Sequence, residues 1–71
     1  MTKEEFYKDV MTGIEKLPAE WRKGQKVFNY IDANYHVART LQFEKGVDCF
    51  HRDDKIEEFI NCAYDLLEDK Q

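Results

Sequence analysis

The chain has 71 residues, 42% of them hydrophobic, 14% aromatic and 37% charged, with a formal net charge of −4. That length holds one domain, and the aromatic content, with only three glycines and one proline, excludes intrinsic disorder outside the extreme termini. The acidic balance argues against a partner that is itself a polyanion.

Two cysteines, Cys49 and Cys62, are too few for a disulfide framework. They leave room for one bridge or for two reduced thiols, and the second fits a cytoplasmic protein. No apolar run approaches the roughly 20 residues of a membrane span. The N-terminal MTKEEFYKDV has acidic residues where a signal peptide has its apolar core. A soluble, cytoplasmic protein is expected.

The first element opens on TKEE, where Thr2 and Glu5 have the spacing of a capping box. Phe6, Val10, Ile14 and Leu17 recur every three or four residues, which predicts a helix over Thr2–Lys16. Gly13 weakens it by about 1 kcal/mol relative to alanine, and Pro18 disfavours helix at the preceding Leu17.

Pro18 suits the first position of a second helix, predicted over Pro18–Ala33. Trp21, Gly24, Phe28, Ile31 and Tyr35 fall on one stripe, and the helix either runs through Gly24 or breaks there. Asn34 is the expected stop. Tyr35, Val37, Ala38 and Leu41 predict a short helix over Tyr35–Leu41 that either continues the second or bends away.

QFEKGVDCFHRDD, residues 42–54, reads as a connection punctuated by Gly46. The last helix is predicted over Asp54–Glu68, with Asp53 or Asp54 as N-cap and Glu57 completing a second capping box. Ile56, Phe59, Ile60, Ala63, Leu66 and Leu67 give it a clean apolar stripe. The charge deficit concentrates here, with seven acidic residues from Asp53 to Asp69 against Lys55 alone. The expected architecture is all-α, three main helices plus one short one. Its expected core is Phe6, Val10, Ile14, Trp21, Phe28, Ile31, Leu41, Phe50, Phe59, Ile60, Ala63 and Leu67.

Cys49, His51, Cys62 and His36 do not reproduce the paired ligand spacing of zinc sites. No metal or cofactor is expected. Asp48, Cys49 and His51 are close in sequence, but a catalyst also needs a concave site that excludes water, and so short a chain spends its apolar residues on its core. No P-loop or dinucleotide-binding glycine pattern is present. A non-catalytic protein is expected, with no catalytic residues.

Arg22, Lys23 and Lys26 form a basic cluster. The segment Lys26–Leu41 can be cast as a helix-turn-helix with His36, Arg39 and Thr40 on its recognition helix. The acidic whole and the absence of a glycine turn make nucleic acid the lesser alternative. The structural reading of the cluster pairs Arg22 with Asp48 or Asp53.

Of the four tyrosines, Tyr30 lies opposite Phe28 on the second helix. With Lys23, Lys26 and Tyr64 it forms the expected partner surface, for another protein or for a second copy of the chain.

The run R-x-G-Q-x-x-F-N, Arg22 to Asn29, is followed by D-x-F at Asp48-Cys49-Phe50 and by the acidic pair Asp53-Asp54. Together these resemble a group of short, uncharacterised bacterial and phage-type proteins over Trp21 to Leu67. The resemblance implies an alternating-apolar stretch between the two motifs and a short final helix, and it implies no activity. Cys49 stands where that group often has proline, and the first helix lies outside the resemblance.

The glycine and glutamine inside this motif call for a structural account. Gly24 sits on the buried stripe between Trp21 and Phe28, where a missing side chain lets another segment approach. The expected segment is Asp48–Phe50, with Phe50 over Gly24. Gln25 and Asn29 are expected to hydrogen-bond its backbone. Arg22, Gly24, Gln25, Phe28, Asn29, Asp48 and Phe50 thus form an expected structural clasp. The best functional expectation is a small interaction or adaptor protein.

Overall fold

A computed structural model describes residues 1–69 of the chain. Its helices are α1 (Lys3–Gly13), α2 (Lys23–Tyr35), α3 (Ala38–Thr40) and α4 (Ile56–Asp69), with no strand among the described residues. The all-α class is as the sequence predicts.

Helix α1 starts where its capping box places it. The Glu5 amide donates to the Thr2 hydroxyl at 3.1 Å, and the Thr2 amide donates to the Glu5 carboxylate at 2.7 Å. The helix tightens into a 3-10 turn over Ile14–Lys16. Leu17 is extended, with φ −88° and ψ 163°, the conformation a following proline selects.

Helix α2 begins at Lys23 and not at Pro18. Pro18 opens a single turn closed by the Trp21 amide on its carbonyl at 3.1 Å, and Arg22 is extended at ψ 156°. The helix also runs past Asn34. It stops at His36, which takes the left-handed conformation at φ 61° and donates its amide to the Ile31 carbonyl at 3.1 Å. Tyr35 is the reason for the longer helix. Its ring packs edge-on against Phe6 at 4.9 Å, a contact that an earlier stop would forfeit. Asn34 instead donates its side-chain amide to the Tyr30 carbonyl at 2.9 Å.

The third segment is shifted and longer than the predicted Tyr35–Leu41. Helix α3 runs directly into a π-helical turn over Leu41–Lys45, so four residues expected in the connection are helical. Gly46, at φ 69°, ends it, and the Val47 amide closes on the Leu41 carbonyl at 3.1 Å. The wider turn keeps Leu41 buried and leaves Phe43 outside.

A 3-10 turn over Asp53–Lys55 leads into α4. The expected capping box from Asp54 does not form. Arg52 holds the cap position of the 3-10 turn with no side-chain capping bond, and its guanidinium donates to both Asp54 oxygens, at 2.9 and 3.2 Å.

The core sits between α1, α2 and α4, with α3 against its side. Nine of the expected core residues are buried: Phe6, Val10, Ile14, Phe28, Ile31, Leu41, Phe59, Ile60 and Ala63. Trp21, Phe50 and Leu67 are only half-buried. Val27, Val37, Ala38, Cys49 and Ile56 are buried as well: Val27 widens the buried stripe of α2, Ile56 opens the α4 stripe, and Val37, Ala38 and Cys49 come from α3 and the connections that close over the core. No helix among the described residues is long and apolar enough to cross a membrane.

Candidate functional site

The clasp residues meet at the start of α2. Gly24 donates its amide to Asp53 Oδ1 at 3.1 Å and accepts the Cys49 thiol on its carbonyl at 3.3 Å. A Cβ on Gly24 would overlap the Cys49 carbonyl oxygen and stand 2.7 Å from Asp53 Oδ1. The approaching segment is the expected one, but the residue over Gly24 is Cys49 and not Phe50. Backbone reaches closest to a residue without a side chain. Phe50 sets its ring edge-on to Phe28 instead, at 5.5 Å.

Arg22 pairs with neither Asp48 nor Asp53. Its Nη2 donates to the Phe50 carbonyl at 2.7 Å and its Nη1 to the His51 carbonyl at 3.5 Å. The guanidinium therefore satisfies loop carbonyls, a task its fixed fork of donors suits. The two carboxylates are used elsewhere. Asp48 accepts the Phe50 amide at 2.8 Å, the Gln42 side chain at 3.3 Å and meets His51 Nδ1 at 3.3 Å. Burial pushes the Asp48 carboxyl up, but these three partners together hold it below the usual carboxylate range. Gln25 and Asn29 make no side-chain hydrogen bond to the loop among the described residues. Arg22, Asp48 and the Gly24 amide already serve it.

Cys49 is fully buried. Burial, then the charges of Asp48 and Asp53, push its thiol up to about 12. Its hydrogen bond goes to Gly24, while the His51 ring faces Asp48. Cys49 and His51 thus form no nucleophile–base pair. Both cysteines are free thiols. Among the described residues, no group of three or more His, Cys, Asp or Glu side chains is placed to hold a metal.

Of the expected partner surface, Lys23, Lys26 and Tyr30 share one face of α2, and Tyr64 stands apart from them. Tyr30 turns inward between α1 and α2, where its hydroxyl donates to Asp9 Oδ1 at 3.0 Å. Its ring fills the space a Cβ on Gly13 would need, so this helix-weakening glycine is a packing requirement. Tyr35 donates to the other Asp9 oxygen. Burial, then the Asp9 hydrogen bond, raises both phenols above their ordinary value. Tyr64 sits at the other end of α1, donating to the Met1 carbonyl at 3.0 Å beneath Lys3. Lys23 and Lys26 line a shallow cleft with Met11 and Ile14.

The basic residues form no single stripe. Arg22 turns to the loop, and Arg39 Nε stands 3.7 Å from Asp32 Oδ2.

The sequence reading missed Phe43, which is 78% exposed, above Met1 at 63% and Tyr7 at 41%. It is itself part of the wall of an open cleft of about 360 Å³, together with Phe28, Phe50, Asp32, Arg39 and His51. Single exposed apolar residues are ordinary. One beside a recess lined by two more phenylalanines is the start of a patch. The available signal was its position: Phe43 lies on none of the helical stripes and is flanked by Gln42 and Glu44. No family model, curated protein or solved structure matches the chain.

Proposed function

We propose that this protein is a small, non-catalytic interaction or adaptor protein of bacterial or phage type, whose contact face is the cleft beside Phe43. The observation that carries this reading is the exposure of Phe43 next to a recess lined by Phe28 and Phe50. Aromatic anchors beside desolvated recesses are where interface energy concentrates, and π-helical turns recur at functional sites. A reducing cytoplasm suits Cys49, whose thiol is used as a hydrogen-bond donor.

A helix-turn-helix reading draws support from α2 and α3, which only His36 and Val37 separate. It loses Arg22 to the loop and has Arg39 beside Asp32. Too little free basic charge remains on one face to grip several phosphates.

The test is affinity capture from the native cell with quantitative mass spectrometry, comparing the wild type with Phe43→Ser and Tyr7→Ser. The interaction reading expects one set of proteins, the chain itself included, to be lost with Phe43→Ser and kept with Tyr7→Ser. Identical capture by all three sinks it.

A further inference from the structure

We propose that the occupant of the Phe43 cleft is a second copy of this chain, joined across a two-fold axis so that each Phe43 enters the other's recess. This rests on the reading of that cleft as a contact face.

In a two-fold interface the same patch meets itself, so every projection needs its matching recess on that same patch. This face has both. Phe43 projects, and the recess lined by Phe28 and Phe50 opens beside it. A partner of another kind would need only one of the two.

The charges point the same way. The rim carries one anion and one cation, Asp32 and Arg39, 3.7 Å apart, with the Arg39 side chain 76% exposed. Turned about a two-fold axis, each Arg39 meets the other copy's Asp32, and both charges are matched. A strongly acidic or basic partner would match one and oppose the other. The net charge of −4 does not come from this rim, where Asp32 and Arg39 balance, but from the seven acidic residues between Asp53 and Asp69.

The dimer is concentration-dependent. A stable interface buries about 800 Å² on each partner, a large share of the 4662 Å² this chain exposes.

The test is sedimentation equilibrium up to millimolar protein. Wild type should associate reversibly to dimer. Phe43→Ser, Asp32→Lys and Arg39→Glu should each weaken association about tenfold or more. An equimolar mixture of Asp32→Lys and Arg39→Glu should recover it, since each introduced lysine then faces an introduced glutamate and native Arg39 faces native Asp32. That recovery also shows that both variants remain folded. A monomer throughout the range, a dimer indifferent to all three substitutions, or a mixture no tighter than its components would each overturn the proposal. If the protein stays monomeric while Phe43→Ser still loses captured proteins, the second-copy inference falls and the interaction reading stands.

Discussion

The backbone amide of Gly24 is capped by the carboxylate of Asp53, 3.1 Å away in space and 29 residues away in sequence. A helix N-terminus leaves its first amides without intrahelical partners, and the usual remedy is a side chain just ahead of the helix. Arg22 occupies that position in α2 and cannot accept a hydrogen bond. The chain brings its acceptor from the turn before α4, and Arg22 is released to hold the carbonyls of Phe50 and His51.

Replacing Gly24 by alanine should therefore destabilise the protein, although alanine is the better helix former. The added Cβ meets the Cys49 carbonyl oxygen, which is backbone and cannot swing aside. The expected loss is roughly 1–3 kcal/mol, measured by urea unfolding. Unchanged stability would show that the loop does not lie against Gly24.

Asp53 and Asp54 are neighbours with different duties, and their alanine variants should separate. Asp53→Ala removes the cap of α2 and should lower stability by about 1 kcal/mol. Asp54→Ala removes only an exposed contact with Arg52 and should leave the melting temperature nearly unchanged. Asp53→Asn, which keeps an acceptor oxygen, should fall between wild type and Asp53→Ala.

Gly13→Ala tests a sign. Helix propensity alone makes it stabilising by about 1 kcal/mol. The Tyr30 ring occupies the required space and is held there by its bond to Asp9, so the substitution should destabilise. In a Tyr30→Ala background the same change should become neutral or favourable. A double-mutant cycle measures that coupling.

The two thiols should react at different rates. Cys49 is buried with its thiol pushed up to about 12, so alkylation of the native protein near neutral pH should label Cys62 first. Labelling of Cys49 should follow global or loop unfolding, and peptide mass spectrometry distinguishes the two. Equal rates would mean that the loop opens freely.

Acid should loosen the same loop. The Asp48 carboxyl is held below its ordinary value, so the unfolded chain binds more protons than the folded one as pH falls. The stability it contributes is complete above the ordinary carboxylate value of 3.8 and is lost as pH drops through the lower folded value. Asp48→Asn should flatten this part of the stability profile in urea titrations between about pH 5 and pH 2. A profile of unchanged slope would assign the acid limb to other carboxylates.

What could be read in the sequence was what local spacing encodes. The Thr2–Glu5 capping box and the stripe through Ile56, Phe59, Ile60 and Ala63 depend only on neighbours within a turn or two, and both appear as expected. The clasp was legible as a pairing of two segments, since Gly24 on a buried stripe asks for a close neighbour. Its individual bonds were not legible. Whether Arg22 meets a carboxylate or a carbonyl is decided by where Asp48 spends its oxygens, on Phe50, Gln42 and His51. The inward turn of Tyr30 was not legible for a related reason. Its environment is set by Gly13 and Asp9, both on another helix. Phe43 escaped notice because a π turn, which breaks the 3.6-residue period, leaves no periodic trace.

The cap that Asp53 supplies has a consequence for how the chain is born. A growing polypeptide reaches Arg22 and the whole of α2 well before Asp53 exists. Until then the first turn of α2 has an uncapped amide at Gly24 and an arginine with no loop to hold. The cap at that end must wait for the turn before α4, and the residues between Gly24 and Asp53 have to close as one loop. The first turn of a helix, otherwise a purely local structure, is thereby tied to a partner 29 residues away, a non-local pairing of the kind that slows folding relative to local helix formation.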